Sequence, residues 1–412
     1  MTNTSLAMQA GKAGIFRSLK DPNFRRYWFG QLVSLNGTWM HSVAQVWLVY
    51  RITESSFWLG LVTFCNLAPV LLLSLIAGVV ADRFNRRRML ILIQILSMLQ
   101  ALTLGLLTIN HMIRPWHIVA LATVLGVVRA FEVPTRHALI GQMMPRELLS
   151  NAVGLSSSTF NVARFVGPSI AGALVALWGE GPVFLINALS FTATLAALFS
   201  LRLQPQHNST THAPVGIHLM EGLRFAAGHA RIRFGLMMLG MVSLMSSTVT
   251  VLIPVFASQM LHGDARLMGL MMSAMGVGAL MGALRLAART SGKGLERVIG
   301  WAGLGLAASS LIFATLHVLW LVLPVLTVAG FSHTTAAAST TAMIQLQTDD
   351  ALRGRVMSIF SMIFIGSMPI GSLLGGTAAE YIGAPLTVAL LGLCFLLVSV
   401  TYLWLVYRRE PV

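Results

Sequence analysis

Acid is scarce in this chain, and charge of either sign is sparse. Only 13 of the 412 residues are Asp or Glu, and charged residues make up 10% of the sequence. Soluble domains carry about 25%, so a soluble enzyme is excluded. Cysteine is nearly absent. Cys65 and Cys394 are the two thiols, each inside a long apolar run, which excludes a disulfide framework and a cysteine metal site. The sequence also lacks a G-x-x-x-x-G-K-[ST] loop and an H-E-x-x-H pair, and no polar stretch is long enough to hold a nucleotide domain. An ATP-driven pump and a membrane metalloenzyme are thereby excluded. His207, His212 and His218 have no regular ligand spacing, so neither a metal nor a cofactor is expected.

What remains is apolar and basic. Hydrophobic residues reach 56%, mean hydropathy is +0.77 and the net charge is +15. In a soluble chain such a charge points to nucleic acid. In an apolar chain it points to cytoplasmic loops, where Lys and Arg collect. A helix crosses a bilayer with about 20 apolar residues. Twelve stretches qualify, near 27–50, 57–80, 89–110, 115–139, 151–177, 181–201, 232–258, 267–288, 298–316, 318–345, 356–379 and 384–407. They are rich in Leu, Ala, Gly and Met and lack the alternation of a transmembrane barrel. The fold class is therefore an all-α membrane protein of twelve transmembrane helices.

The cations sort by loop. The N-terminal tail, the even-numbered loops and the C-terminal tail hold 22 of the 28 Lys and Arg residues, while the odd-numbered loops hold only Arg51, Arg114 and Arg266. That asymmetry puts both termini in the cytoplasm and removes nucleic acid as a partner; the bilayer takes its place. The first apolar run is long enough to span, so no cleavable signal peptide is expected.

A polar stretch divides the chain. The reading is a cytoplasmic tail over 1–26, a six-helix bundle over 27–201, a linker over 202–231, a second six-helix bundle over 232–407 and a tail over 408–412. Within the linker, 216–229 has the pattern of an amphipathic surface helix, with Ile217, Met220, Leu223 and Phe225 against Glu221 and Arg224. The halves echo each other: Gly167-Pro168 and Pro369-Ile370-Gly371 stand in corresponding spans, the prolines 201 positions apart. Two pseudo-symmetric bundles about a central site form one large transporter plan.

An ionisable residue at mid-membrane costs about 2.5–3.5 kcal/mol on insertion scales, so each is a functional candidate. Arg129, Glu132 and Arg136 follow at i, i+3 and i+7 of the fourth span, on one face. Arg164 of the fifth span is expected to face the same cluster. Glu132 is the first carboxylate to consider as a proton carrier; the alternative is a structural ion pair. His41 and His333 fall near the middle of the first and tenth spans, and histidine titrates near neutral pH. Each either carries a proton or bonds a neighbouring helix. Gln45, Asn66 and Gln345 add neutral polar groups at membrane depth, lining a cavity or bonding across helices.

The loop after the second span reads Gly78-Val79-Val80-Ala81-Asp82-Arg83-Phe84-Asn85-Arg86-Arg87-Arg88. It resembles the loop signature of the major facilitator superfamily, in the place where that family has it. Asn85 stands where the family has a glycine; asparagine tolerates a left-handed backbone, and such a turn is predicted there. Phe24-Arg25-Arg26-Tyr27, Gly37-Thr38-Trp39-Met40, Leu48-Val49-Tyr50, Thr53-Glu54-Ser55, Pro134-Thr135-Arg136, Asn151-Ala152, Asn161-Val162-Ala163-Arg164 and Arg353-Gly354-Arg355-Val356-Met357-Ser358 resemble the enterobactin-exporter-like branch, which includes transmembrane secretion effectors and drug efflux proteins. These pieces cover nearly the whole chain in order.

The resemblance implies a secondary transporter and not an enzyme. It implies export of a small amphipathic molecule (siderophore, drug or metabolite) by alternating access with proton antiport, from a multi-pass monomer of the bacterial inner membrane. An importer or a lipid or lysolipid transporter of the same fold is the alternative. It further implies that Gly78, Asp82, Arg83, Arg86 and Arg87 latch the two halves in one conformer. Asp82 is suited to accept from Arg83 or Arg86 and to sit at a neighbouring helix N-terminus. Asn161, Gly167, Pro168 and Gly172 resemble the exporter motif of the fifth span, with Ala171 in place of one glycine.

Overall fold

A computed structural model describes residues 16–201, 224–289 and 292–409, all in helices and short connections. In chain order the long helices are α1 Pro22–Thr53, α2 Ser56–Arg83, α3 Arg86–Ile109, α4 Pro115–Met143, α5 Arg146–Trp178, α6 Glu180–Ser200, α7 Ala230–Val255, α8 Ala265–Ala287, α9 Leu295–Phe313, α10 Leu319–Gln347, α11 Asp350–Ile382 and α12 Ala384–Arg409. A π-helical turn, Phe256–Met260, prolongs α7. Eleven of these helices are long and apolar enough to cross a membrane; α1 is not among them. Its apolar run is diluted by Gln31, Asn36, His41 and Gln45, and Gln31, His41 and Gln45 are buried. A helix that hides its polar residues faces protein along that stripe.

Local chemistry sets the helix ends. The Asp21 carboxylate accepts from the Phe24 N–H at 2.8 Å, and Pro22 opens α1 with a preset φ. Pro115 does the same for α4. Gly179 and Gly383 take φ of 79° and 84° between α5 and α6 and between α11 and α12, where a side chain would be strained. Large apolar side chains such as Leu72, Leu189, Leu284 and Leu397 are exposed, the exterior expected of a chain dissolved in lipid. Trp116, Trp178, Trp320 and Tyr381 are exposed at the helix ends away from the basic loops, and Trp404 at a basic end, as in an interfacial aromatic belt.

The packing pattern repeats after six helices. α1 packs on α5 and α6, α2 on α4, and α3 on α4 and α6; α7 packs on α11 and α12, α8 on α10, and α9 on α10 and α12. Between these sets α2 lies on α11 and α5 on α8. α8 and α9 begin 209 residues after α2 and α3, while α10, α11 and α12 begin 204 residues after α4, α5 and α6. The proline spacing read from sequence is therefore off by three. Pro168 corresponds to Ser372, and it is the glycines, Gly172 with Gly376 and Gly179 with Gly383, that keep register. Of the expected amphipathic segment only 224–229 is described, helical over 224–228; 202–223, with His207, His212 and His218, lie outside the described residues.

Candidate functional site between the helices

The α4 spacing brings Glu132 and Arg136 together, with Arg136 Nη1 3.7 Å from Glu132 Oε1 and both side chains about one-fifth exposed (22% and 19%). Arg129 turns elsewhere. Its Nη1 donates to Asn66 Oδ1 on α2 at 2.9 Å, while its charge still interacts with that of Glu132. Gly126, one turn earlier, lets the helices approach this closely: a Cβ there would lie 2.6 Å from the Asn66 carbonyl oxygen. Asn66 is thus a bond across helices, one of its two expected uses.

Arg164 departs from its expected place. Its guanidinium lies over the Trp39 ring of α1, 5.9 Å from the centroid, and acts electrostatically on His333 of α10. Among the described residues it makes no ion pair with Glu132, which Arg136 engages. The reason is local, because Pro168 and Gly167 set how α5 lies on α1. A Cβ on Gly167 would meet Trp39 Cβ at 2.6 Å, so the absence of one seats Trp39 beside the α5 turn that carries Arg164.

His41 and His333 are both buried, and neither ring nitrogen of either has a hydrogen-bond partner. His41 meets Phe184 edge-on at 4.9 Å, and His333 stacks on Phe364 at 5.9 Å. The expected bond to a neighbouring helix is not made by either ring. Gln45 is buried with its Nε2 unpartnered. Gln345 is exposed in the last turn of α10 and makes no bond across helices among the described residues.

The loop after α2 contacts its own set of helices. Arg86 Nη1 donates to the Ala138 carbonyl of α4 at 3.3 Å and Arg87 Nη2 to the Phe199 carbonyl of α6 at 2.8 Å. Arg83 is exposed, and the Asp82 side chain lies outside the described residues. Asn85 is not left-handed. It is extended, with φ of −64°, and caps α3 by accepting the Arg88 N–H at 3.0 Å. A capping oxygen satisfies a free helix donor, so no glycine-like turn is needed.

The two interfaces between the sets come backbone to backbone at one end. At the end away from the basic loops, a Cβ on Gly60 would lie 3.2 Å from Gly376 Cα, and one on Gly172 3.1 Å from Gly269 Cα. These positions form one pattern, since Gly60 and Gly269 hold the same place in α2 and α8, as do Gly172 and Gly376 in α5 and α11. At the basic end a Cβ on Gly78, Gly154 or Gly354 would meet nothing within 4 Å. Of the exporter motif, Gly167, Pro168 and Gly172 make the close contacts, whereas Asn161 bonds locally to the Ser157 carbonyl at 3.0 Å.

Sequence reasoning missed three features here. Glu380 at the end of α11 accepts from Ser55 and Phe57 at the start of α2. Its signal was an acid in a last helical turn, where the dipole disfavours it. Arg51 and Glu180 form a two-pronged pair, at 2.7 and 3.0 Å. Trp39 and Phe160, ring centroids 5.6 Å apart, were indistinguishable from lipid-facing aromatics.

Residues 13–410 match a protein family described as transmembrane secretion effector. The Staphyloferrin A transporter of Staphylococcus aureus is 25% identical over 89% of this chain and 92% of its own length. The multidrug efflux pump Tap of Mycolicibacterium fortuitum is 26% identical over 93% of this chain and 95% of its own. Among solved structures, a bacterial homolog of the human lysosomal transporter Spinster, inward-facing and occupied, aligns with a TM-score of 0.73 over 97% of this chain and 98% of that one, at 14% identity; this likeness is one of fold.

Proposed function

This chain belongs to the transmembrane secretion effector family of the major facilitator superfamily, a membrane transporter and not an enzyme, and we propose that it exports a small amphipathic molecule by alternating access with proton antiport. The substrate is a siderophore, a drug or a metabolite. The observation that carries the reading is the one-ended closure: glycine pairs seal α2 to α11 and α5 to α8 at one end, while the other end has open space beside Gly78, Gly154 and Gly354. A transporter that opens to one side at a time needs two such interfaces, loosened at alternate ends.

In this reading 27–201 and 232–407 are the two moving bundles of a twelve-span chain, tied by the linker 202–231. The basic loops and both tails, 1–26 and 408–412, are cytoplasmic, so the conformer is inward-facing. The protein is a monomer in the bacterial inner membrane. Gly78, Asp82, Arg83, Arg86 and Arg87 form the latch of the alternate conformer, closing when the cytoplasmic end seals. Glu132 is the carboxylate for the coupling proton, and its partial exposure beside Arg136 gives water a route to it. His41 and His333, buried without partners, are the other groups in the translocation path.

Purified protein in liposomes with an imposed pH gradient tests this. Gradient-driven uptake of labelled siderophores or drugs into the acidic lumen is the expected result. Movement indifferent to the gradient removes antiport, and movement with protons instead of against them makes the chain an importer.

A further inference from the structure

We propose that Arg164 and His333 form an anion-binding subsite, which selects substrates bearing a carboxylate or similar anionic group on an aromatic or planar body. The proposal rests on the transport reading above and deepens it.

Arg164 has no carboxylate within ion-pair distance among the described residues. The one carboxylate of the neighbouring span, Glu132, is engaged by Arg136, and Arg129 is held by the neutral Asn66. Three guanidinium groups therefore share one anion across α4 and α5, and Arg164 is the one whose described contact is only a ring, Trp39. A ring face compensates a cation far less than a counter-ion does. Such a charge inside a membrane protein marks a substrate or ion path by default.

A second, independent observation lies on the opposite set of helices. His333 is 4% exposed, both its nitrogens are unpartnered, and its ring lies within electrostatic reach of the Arg164 charge. In either tautomer one imidazole nitrogen is a donor. Its neighbours do not use that donor, and a ligand anion held by Arg164 does. Aromatic rings extend the site to both sides. Trp39 and Phe160 meet at 5.6 Å, and Phe364 stacks on Phe360 at 5.9 Å and 15°. Among the charged groups on nearby helices, Arg129, Glu132 and Arg136 of α4 and Arg285 of α8, whose guanidinium lies over Phe331 of α10 at 5.5 Å, carry a net positive charge. A planar guanidinium takes a carboxylate in a two-pronged fork, and the rings take the apolar body. Arg164 belongs to α5 and His333 to α10, so one bound anion bridges the two sets of helices.

The test is calorimetric titration of the full chain in lipid nanodiscs with two matched probes, anthracene carboxylate and anthracenylmethyl ammonium. Wild type is expected to bind the anion at least ten times more tightly than the cation. Arg164→Gln lowers anion affinity at least tenfold and leaves cation affinity unchanged; Arg164→Lys retains part of it; His333→Gln lowers it about threefold. Equal wild-type affinity for the two probes overturns the proposal. So does unchanged anion affinity in Arg164→Gln or, where that variant does not fold, in both Arg164→Lys and His333→Gln. Proteoliposome flux separates this from the transport reading. Charge-selective binding without flux of either probe defeats transport and leaves the subsite standing; flux without charge preference does the reverse.

Discussion

The Glu380 carboxylate, in the last turn of α11, accepts a hydrogen bond from the Phe57 backbone N–H at the start of α2, 3.1 Å away. The Ser55 hydroxyl donates to the same oxygen at 2.9 Å. An acid is misplaced at the C-terminus of its own helix and well placed at the N-terminus of another. The pair therefore stabilises the chain only while α2 and α11 stay closed at this end. The equivalent helix, α8, has no such dependence, since its own Asp264 caps it. The polar closure is thus one-sided although the glycine closure is symmetric.

Glu380→Gln keeps the shape and removes the charge. The bond is solvent-exposed, so its loss is worth about 1 kcal/mol, a roughly fivefold shift toward the conformer open at that end. Spin labels at positions 111 and 262, both in exposed turns of the same end, report that shift by dipolar spectroscopy. An unchanged distance distribution would mean the glycines alone hold the closure.

The glycine pairs give a steric prediction. A Cβ on Gly172 would lie 2.5 Å from the Ala265 carbonyl oxygen, and one on Gly60 2.6 Å from that of Ser372. Backbone cannot yield as a flexible side chain does, so Gly60→Val and Gly172→Val hold the end apart. Initial transport rates should fall more than tenfold, with the protein still folded by size-exclusion chromatography. Gly154→Ala is the control. Its Cβ meets nothing within 4 Å, and replacing a helical glycine gains about 0.4–1 kcal/mol. Equal damage from Gly154→Ala would argue that these glycines matter for something other than close approach.

Hydropathy and the loop distribution of Arg made the helices legible, because both act over about twenty residues and survive local error. The polar first helix was found as well, although its hydropathy is too low to mark it as a span. Partners were less legible. The i, i+3, i+7 spacing offered Glu132 to both Arg129 and Arg136, and only the approach of α2 at Gly126 decided that Arg129 goes to Asn66. Arg164 was assigned to the wrong neighbour because helical periodicity gives a residue's face on its own helix but not the helix opposite. The exposure of Gln345 was not legible either, because α10 runs on to Gln347 without a break. The proline echo misled by three residues, since a kink can move along a helix while a glycine contact cannot.

The Arg51 and Glu180 pair predicts a stability effect. Both carboxylate oxygens are bonded, and the Glu180 side chain is 5% exposed while that of Arg51 is 52% exposed. Removing Arg51 leaves a buried carboxylate without its donor. The penalty for such a group is large, but the open arginine side admits water, so Arg51→Ala should cost about 2 kcal/mol. Thermal unfolding of the purified protein measures it. Adding Glu180→Gln to that variant should recover at least half of the loss, because a neutral amide tolerates burial better than a lone charge. A double variant less stable than Arg51→Ala would mean that Glu180 has a use beyond this pair.

Glu132 can be a structural partner of Arg136 or the carrier of the coupling proton, and the two uses separate experimentally. At 3.7 Å and about one-fifth exposed, the pair is a loose ion pair, whose contribution to stability is at most about 1 kcal/mol. A weak structural role predicts that Glu132→Gln folds with little change in melting temperature. A coupling role predicts more. An amide cannot release a proton, so Glu132→Gln should abolish accumulation driven by a pH gradient while substrate counterflow, which needs no net proton movement, continues at a rate within threefold of wild type. Arg136→Gln is the matching control: it breaks the same ion pair but keeps the carboxylate, so gradient-driven accumulation should persist. Gradient-driven accumulation that survives Glu132→Gln would exclude this carboxylate and leave His41 and His333, whose ring nitrogens are free, as the groups to substitute next.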